Sequence, residues 1–234
     1  DVTVVPEQEY PDGNFPTCPF PNPEIRQAFE CALELAKEHP ADLLLATDPD
    51  CDRVGIAVRD GEEYRLMTGN EVGALLADYL LAQRKAKGTL PKDPVVVKTI
   101  VTTQLVAAIA EKYGAKTVDL LTGFKYIGEL ITNLEKKGEA ERFVIGMEES
   151  YGYLAGTHAR DKDAVVASLL ICEMASFYKQ QGKTLLQVMD ALYEAHGMYL
   201  SSLLNFSFEG AEGMEKMDGM MRALREQPPR EIGG

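Results

Sequence analysis

Residues 47–53 read TDPDCDR, placing three aspartates on every second position with an arginine directly after the last. Three ionised carboxylates this close repel one another, so an ordered loop that keeps all three calls for a cation. Ligands that offer only oxygen suit a hard ion such as Mg2+. Asp48, Asp50 and Asp52 are therefore candidate metal ligands. Arg53 is a candidate supporting group, either lowering the loop's excess negative charge or donating to a phosphate that lies against the metal. A solvated acidic turn explains the same residues without any ion.

An EF-hand is excluded, because its sixth position would be Arg53 rather than glycine and its twelfth Arg59 rather than glutamate. A nucleophile loop of the HAD phosphatase type stays open, since an apolar strand ending in Asp-x-Asp describes that as well. Three further stretches carry polar side chains after apolar runs. TGFKYIGE (122–129) sets Thr122, Gly123 and Lys125 at the mouth of a predicted helix, where a phosphate can meet a lysine together with helix N-terminal N–H groups. GMEESYG (146–152) spaces Glu148 and Ser150 two apart, so extended geometry would aim both the same way. An acceptor beside a donor/acceptor suits neighbouring sugar hydroxyls. THARDKD (157–163) gathers His158, Arg160 and Lys162 as a candidate anion site. A surface lysine, an exposed acidic turn and a charged helix start are the plain alternatives for these three.

The elements that must position these loops follow from periodicity. PEQEYPDGNFPTCPFPNP is too rich in proline for a helix or strand and reads as a connector. Asn22-Pro23-Glu24 reads as the start of a helix with Ile25, Phe29, Leu33 and Ala36 on its apolar stripe, ended by His39-Pro40. ADLLLAT reads as a buried parallel strand leading into the aspartate loop, and VGIAV and YRLM as a hairpin turning at Asp60-Gly61. Thr68-Gly-Asn-Glu71 is a capping box that opens a helix to about residue 86, with Val72, Leu75, Leu76, Tyr79 and Leu80 inward. Strand VVVKTI, helix LVAAIAEKYG, strand AKTVDLL, helix YIGELITNLEKKG and strand RFVIGM alternate after it. Helices follow at about 162–181 and 184–196, then one or two strands in MYLSSLLNFSF and a Met-rich helix in EGAEGMEKMDGMMRALREQ. This order predicts an α/β fold, a layered mixed or mostly parallel sheet with helices on both faces, and ligands at the carboxyl ends of the strands.

The 24 basic residues against 37 acidic ones leave a formal net charge of −13 over 234 residues, which argues against a nucleic-acid or anionic-membrane surface. An anionic substrate would need local cations. Cysteines at 18, 31, 51 and 172 show neither CxxC pairing nor the density of a disulfide scaffold, which predicts reduced thiols and a cytoplasmic setting. The longest apolar runs fall well short of the ~20 residues of a spanning helix. The chain opens DVTVV without Met and ends EIGG, and it reads as a piece of a longer protein.

Taken in order, these motifs resemble the α-D-phosphohexomutase superfamily, the phosphoglucomutases and phosphomannomutases. TDPDCDR resembles its metal loop, usually DGDGDR, with Pro49 and Cys51 in place of the two glycines. GMEESYG resembles its sugar-recognition loop, TGFKYIGE the Gly-aromatic-Lys loop of the phosphoglucomutase branch, and HARDKD the basic segment beyond. The resemblance implies a central-domain fold of the phosphoglucomutase type, with Mg2+ as cofactor and sugar monophosphates and bisphosphates as ligands. It implies reversible transfer of a phosphoryl group from a phosphoserine to a sugar phosphate, interconverting glucose 1-phosphate and glucose 6-phosphate through a bisphosphorylated sugar.

Members of that superfamily have four domains, with a Thr-Ala-Ser-His-Asn-Pro type loop in the first and an Arg-x-Ser-Gly-Thr type clamp in the fourth. None of the six serines here is followed by His-Asn-Pro. The implied assignment is residues 1–65 as the later part of domain 2 with the metal loop, 66–197 as the sugar-recognition domain 3, and 198–234 as a linker and the start of domain 4. The piece alone is expected to be inactive. Phosphomannomutase, phosphopentomutase, a free-standing sugar-phosphate-binding module and a HAD-like phosphatase are the alternatives.

Overall fold

The structure, a computed structural model, describes residues 1–202 and 206–231. It divides into a unit of Asp1–Leu200 and a second of Ser201–Gly234.

In the first unit, β1 (Leu43–Thr47), β2 (Val54–Asp60) and β3 (Glu63–Met67) form an antiparallel sheet in that order. The predicted β2–β3 hairpin is present. The expectation of a parallel β1 is corrected, because β1 runs antiparallel to β2 at the edge, Leu43 opposite Val58 and Thr47 opposite Val54. Six residues separate the two strands, too few for the crossover of a dozen or more that parallel neighbours need. The first predicted helix also starts later than its signals suggest. Asn22 Oδ1 does accept from the N–H of Glu24 at 3.0 Å, but Ile25 stays extended and a 3-10 turn at Arg26–Phe29 precedes α1 (Glu30–Glu38). Tertiary contacts override the cap: Pro23 lies on Gly55 so closely that a Cβ there would sit 2.3 Å from its carbonyl oxygen.

The capping box at Thr68 and Glu71 forms in both directions and opens α2 (Gly69–Ala86). From Val72 to Leu81 this helix is buried without interruption, more than an amphipathic stripe requires. Its neighbours explain why. Val54, Ile56 and Met67 of the small sheet share one core with α2 and with Val96, Val144 and Met147 of a second sheet. That second sheet has the order β5 (Lys116–Leu120), β4 (Val95–Thr99), β6 (Phe143–Glu148), β7 (Gly152–Leu154). β5, β4 and β6 are parallel, and β7 returns antiparallel to β6. The α/β class with a mixed, mostly parallel sheet is therefore as predicted, while β7 had no predicted counterpart.

Helices cover both faces of this sheet. α4 (Phe124–Lys136) packs Phe124, Ile127 and Ile131 on Val95, Val97 and Phe143. α3 (Leu105–Lys112), α5 (Ala164–Lys179) and α6 (Leu185–His196) join the α2 side through Leu105, Ile171 and Leu192. In the second unit α7 (Gly210–Glu226) is the predicted Met-rich helix. The strands expected in 198–208 are absent from the described residues of that stretch, and Leu203–Asn205 lie outside them. No described helix is long and apolar enough to cross a membrane.

The start of α2 docks on the turn that follows β6. A Cβ at Gly69 would lie 2.0 Å from the Glu149 carbonyl oxygen, a backbone atom that has no rotamer by which to yield. Gly69→Ala is therefore expected to lower stability by about 2 kcal/mol in urea unfolding, overpacking outweighing any gain in helix propensity. An unchanged or raised midpoint would show that the helix can shift away.

Candidate functional site

The aspartate loop is a turn closed by the Cys51 N–H donating to the Asp48 carbonyl at 3.0 Å. Cys51 sits at φ +57°, in the left-handed region that favours glycine and costs another residue roughly 1 kcal/mol. Its side chain packs against the main core, which offsets part of that cost.

Asp48 is buried and its carboxylate is the loop's organiser. Oδ1 accepts from the backbone N–H groups of Asp52 at 3.1 Å and Arg53 at 2.9 Å, and Oδ2 accepts from Arg53 Nε at 2.7 Å. Burial alone would raise this carboxyl, but the Arg53 bonds outweigh it and hold it below the ordinary carboxylate value. An oxygen so engaged is poorly placed as a free nucleophile, which weakens the phosphatase reading. Arg53 continues to Glu24 Oε1 at 3.1 Å and Asn22 Oδ1 at 3.5 Å, two partners that the sequence did not suggest.

One carboxylate oxygen from each of Asp48, Asp50 and Asp52 lies within 4.8 Å of the others. Neighbouring oxygens around Mg2+ stand roughly 3 Å apart, given bonds of about 2.1 Å. A small contraction of this triad meets that geometry, and an all-oxygen set suits a hard cation. The residues fit such an ion.

Lys162 closes the loop from the other side. Its Nζ lies 2.9 Å from Asp52 Oδ2 and 3.0 Å from Asp161 Oδ1, and 5.5 Å from the ring centroid of Phe124. Its stem crosses Gly152 so closely that a Cβ there would fall 2.1 Å from Lys162 Cδ. Burial pushes the Asp52 carboxyl up and Asp48 adds to this, so that it ends above its ordinary value despite the Lys162 bond.

The sugar-loop candidates lie beside it. Arg53 bridges to Gly152, and the Val54 N–H donates to the Tyr151 carbonyl at 3.1 Å. Ala164 at the start of α5 donates to the Cys51 carbonyl at 3.1 Å. Glu148 ends β6 opposite Gly152, and the chain turns through residues 149–151 with Tyr151 at φ +68°. Extended geometry thus stops at Glu148, and alternation no longer relates it to Ser150. Glu148 Oε1 accepts from the Gly123 N–H at 2.8 Å, which joins this turn to the TGFK loop. Thr122 and Lys125 are exposed there, with Lys125 Nζ 5.0 Å from the Tyr126 ring centroid.

Two of the basic residues are engaged elsewhere. His158 Nε2 meets Asp163 Oδ2 at 2.9 Å, and that bond leads the causes that hold the Asp163 carboxyl below its usual value. Asp163 Oδ1 also caps α5 by accepting from the Val166 N–H. Arg160 donates to Thr132 Oγ1 at 3.1 Å, to the carbonyls of Thr157 and Ala159, and to Glu135. It ties the segment to α4 rather than to the aspartate loop.

Comparison with known families decides the class. The profile described as phosphoglucomutase/phosphomannomutase, alpha/beta/alpha domain III, matches residues 68–196, and its domain II counterpart matches residues 1–61. The chain belongs to the phosphoglucomutase/phosphomannomutase family. It is 38% identical over 232 residues to a phosphoglucomutase of Staphylococcus aureus (strain N315), covering 99% of this chain and 41% of that protein. The chain thus spans about two fifths of the length of such curated relatives. Among solved structures, a Thermus thermophilus protein assigned as a phosphomannomutase superposes with a TM-score of 0.59 at 28% identity, covering 76% of this chain and 36% of that one. The open form of the Paramecium phosphoglucomutase parafusin gives 0.58 at 20% identity over 90% of this chain and 36% of its own, a likeness of fold.

The aspartate loop depends on Arg53, which yields a pH-dependent expectation. Asp48's depressed value means that its bonds stabilise the fold above the ordinary carboxylate range, near pH 4, and that this is lost as pH falls through the depressed folded value. Arg53→Met is expected to cost about 2–3 kcal/mol at pH 7, by leaving a buried carboxylate unpaired. The gap to the original protein should narrow in acid. Urea unfolding of both proteins at pH 7 and pH 3 checks this, and a gap independent of pH would remove Asp48 as the cause.

Proposed function

We propose that this chain is the metal-loop and sugar-loop segment of a phosphoglucomutase-type enzyme, an intramolecular phosphotransferase that interconverts glucose 1-phosphate and glucose 6-phosphate. The observation that carries this reading is the direct junction of two loops from different sheets. Arg53 bridges to Gly152, and Lys162 reaches from beside Gly152 to Asp52. A cation site and a hydroxyl-binding turn placed side by side suit the transfer of a phosphoryl group onto a sugar.

In this reading Asp48, Asp50 and Asp52 hold Mg2+, with Arg53 keeping Asp48 ionised and oriented. The bound ion would neutralise charge on the transferring phosphoryl group, in a reaction where positioning and electrostatics supply most of the catalysis. Glu148 and Ser150 take sugar hydroxyls. Thr122, Gly123, Lys125, His158, Arg160 and Lys162 form the surrounding polar rim, with Lys125 and Lys162 nearest to a phosphate-binding role. The phosphoserine and a second phosphate clamp belong to domains 1 and 4 of a longer cytoplasmic protein. Residues 1–65 then belong to domain 2, 66–197 to domain 3, and 198–234 to a linker and the start of domain 4. The 38% identity to a phosphoglucomutase and the Gly-Phe-Lys loop favour glucose phosphates over mannose or pentose phosphates.

The test is a coupled assay on the longest natural reading frame containing this chain, with glucose, mannose and ribose 1-phosphates in turn. Mg2+-dependent formation of glucose 6-phosphate is expected, falling roughly 100-fold or more in Asp48→Asn. The 234-residue chain by itself should give none. Turnover by the isolated chain, or a long form inactive on all three sugars, would sink the proposal.

A further inference from the structure

The loop after β4 lies at the same carboxyl edge of the sheet as the sugar turn, yet no role above requires it. Thr99 and Thr102 are buried there, with their hydroxyl oxygens 2.8 Å apart. Both reach Oε2 of Glu149, Thr99 at 2.9 Å and Thr102 at 3.4 Å. Beneath them Lys98 has no exposed surface. Its Nζ donates to the carbonyls of Thr102 at 3.0 Å and Thr99 at 3.3 Å and pairs with Asp119 Oδ1 at 2.8 Å, so the hydroxyls stand on a fixed backbone. On its other side the Glu149 carbonyl closes on Gly69.

The two adjacent glutamates therefore diverge. Glu148 accepts from Gly123 at the mouth of α4, whereas Glu149 is gripped by the β4 loop. An ionised carboxylate accepts hydrogen bonds and donates none, so the hydroxyl pair supplies what it needs, and bonds to a charged acceptor are the strong ones.

We propose that Glu149 is the positioning residue of the sugar turn: the Thr99–Thr102 hydroxyl pair holds its carboxylate, and that grip sets where Glu148 and Ser150 present their oxygens. This rests on the reading of the turn as sugar-binding. Glu149 itself touches no substrate. It acts through its two neighbours in the chain, by fixing where their oxygens meet the sugar hydroxyls.

The test uses the longest natural reading frame. Thr99→Val with Thr102→Val keeps the side-chain shape and removes both hydroxyl donors, while Thr99→Ser with Thr102→Ser keeps the donors. The valine pair is expected to raise KM for the sugar monophosphate about tenfold while kcat stays within about threefold. Mn2+ affinity should be unchanged, and the serine pair should restore KM. Amide hydrogen exchange at residues 149–152 should quicken in the valine pair alone. An unaltered KM, a loss confined to kcat, a weakened Mn2+ site or failure of the serine pair to rescue would each overturn the proposal. If the unsubstituted protein turns over no sugar phosphate, the sugar-binding reading has failed and amide exchange decides the anchor by itself. Unchanged exchange in the valine pair would then dispose of the anchor as well.

Discussion

Three carboxylates crowd into one short turn; Asp50 is exposed to water, and the other two are each met by a cationic side chain. Arg53 comes from inside the loop and ties Asp48 to Glu24 and Asn22. Lys162 comes from a segment more than a hundred residues later and reaches Asp52. A lysine stem can pass there because residue 152 is glycine, and residue 152 is where β7 begins its return along β6. The charges of the first loop thus help to fasten the small sheet to the large one at the edge that carries the candidate site.

The rest of the architecture serves that junction. α2 lies in the core that the two sheets share and is buried over nearly three turns, which leaves it little freedom to slide. Its first residue must be glycine for the β6–β7 turn to sit against it, and the Tyr153 hydroxyl donates to the Gly69 carbonyl at 2.9 Å from the same strand pair. Because β5, β4 and β6 are parallel, the loops carrying Thr99, Gly123 and Glu149 emerge at one edge. The aspartate loop from the other sheet lands beside them.

Elements governed by local periodicity were legible in the sequence, and those governed by distant contacts were not. The capping box at Thr68, the helices α4 and α6 and the three parallel strands all follow from residues within a few positions of one another. The start of α1 did not, because Pro23 on Gly55 and Glu24 on Arg53 hold the chain extended where Asn22 offers a cap. The orientation of β1 was misread from its apolar run, although the length of the loop after it argued for a hairpin. At the site, the aspartate triad was visible as a spacing. The Lys162–Asp52 and Glu149–Thr99 contacts have no signal in a single sequence, since nothing local requires them.

The strongly acidic balance of the chain sharpens what its few site cations can do. Arg53 is committed to Asp48 and Glu24, and Arg160 to α4 and its own segment, so neither is available to an anionic ligand without breaking bonds that hold a loop. Lys162 is shared between Asp52 and Asp161, and a cation on the triad would take over part of its task and release it toward a ligand. Lys125 is exposed, with no carboxylate in ion-pair reach among the described residues. Two lysines, one of them conditional on metal, would be a thin supply for the bisphosphate of the proposed reaction. That scarcity fits the proposed division of labour, in which this segment orients the sugar and the metal while the second phosphate is held by another part of a longer chain.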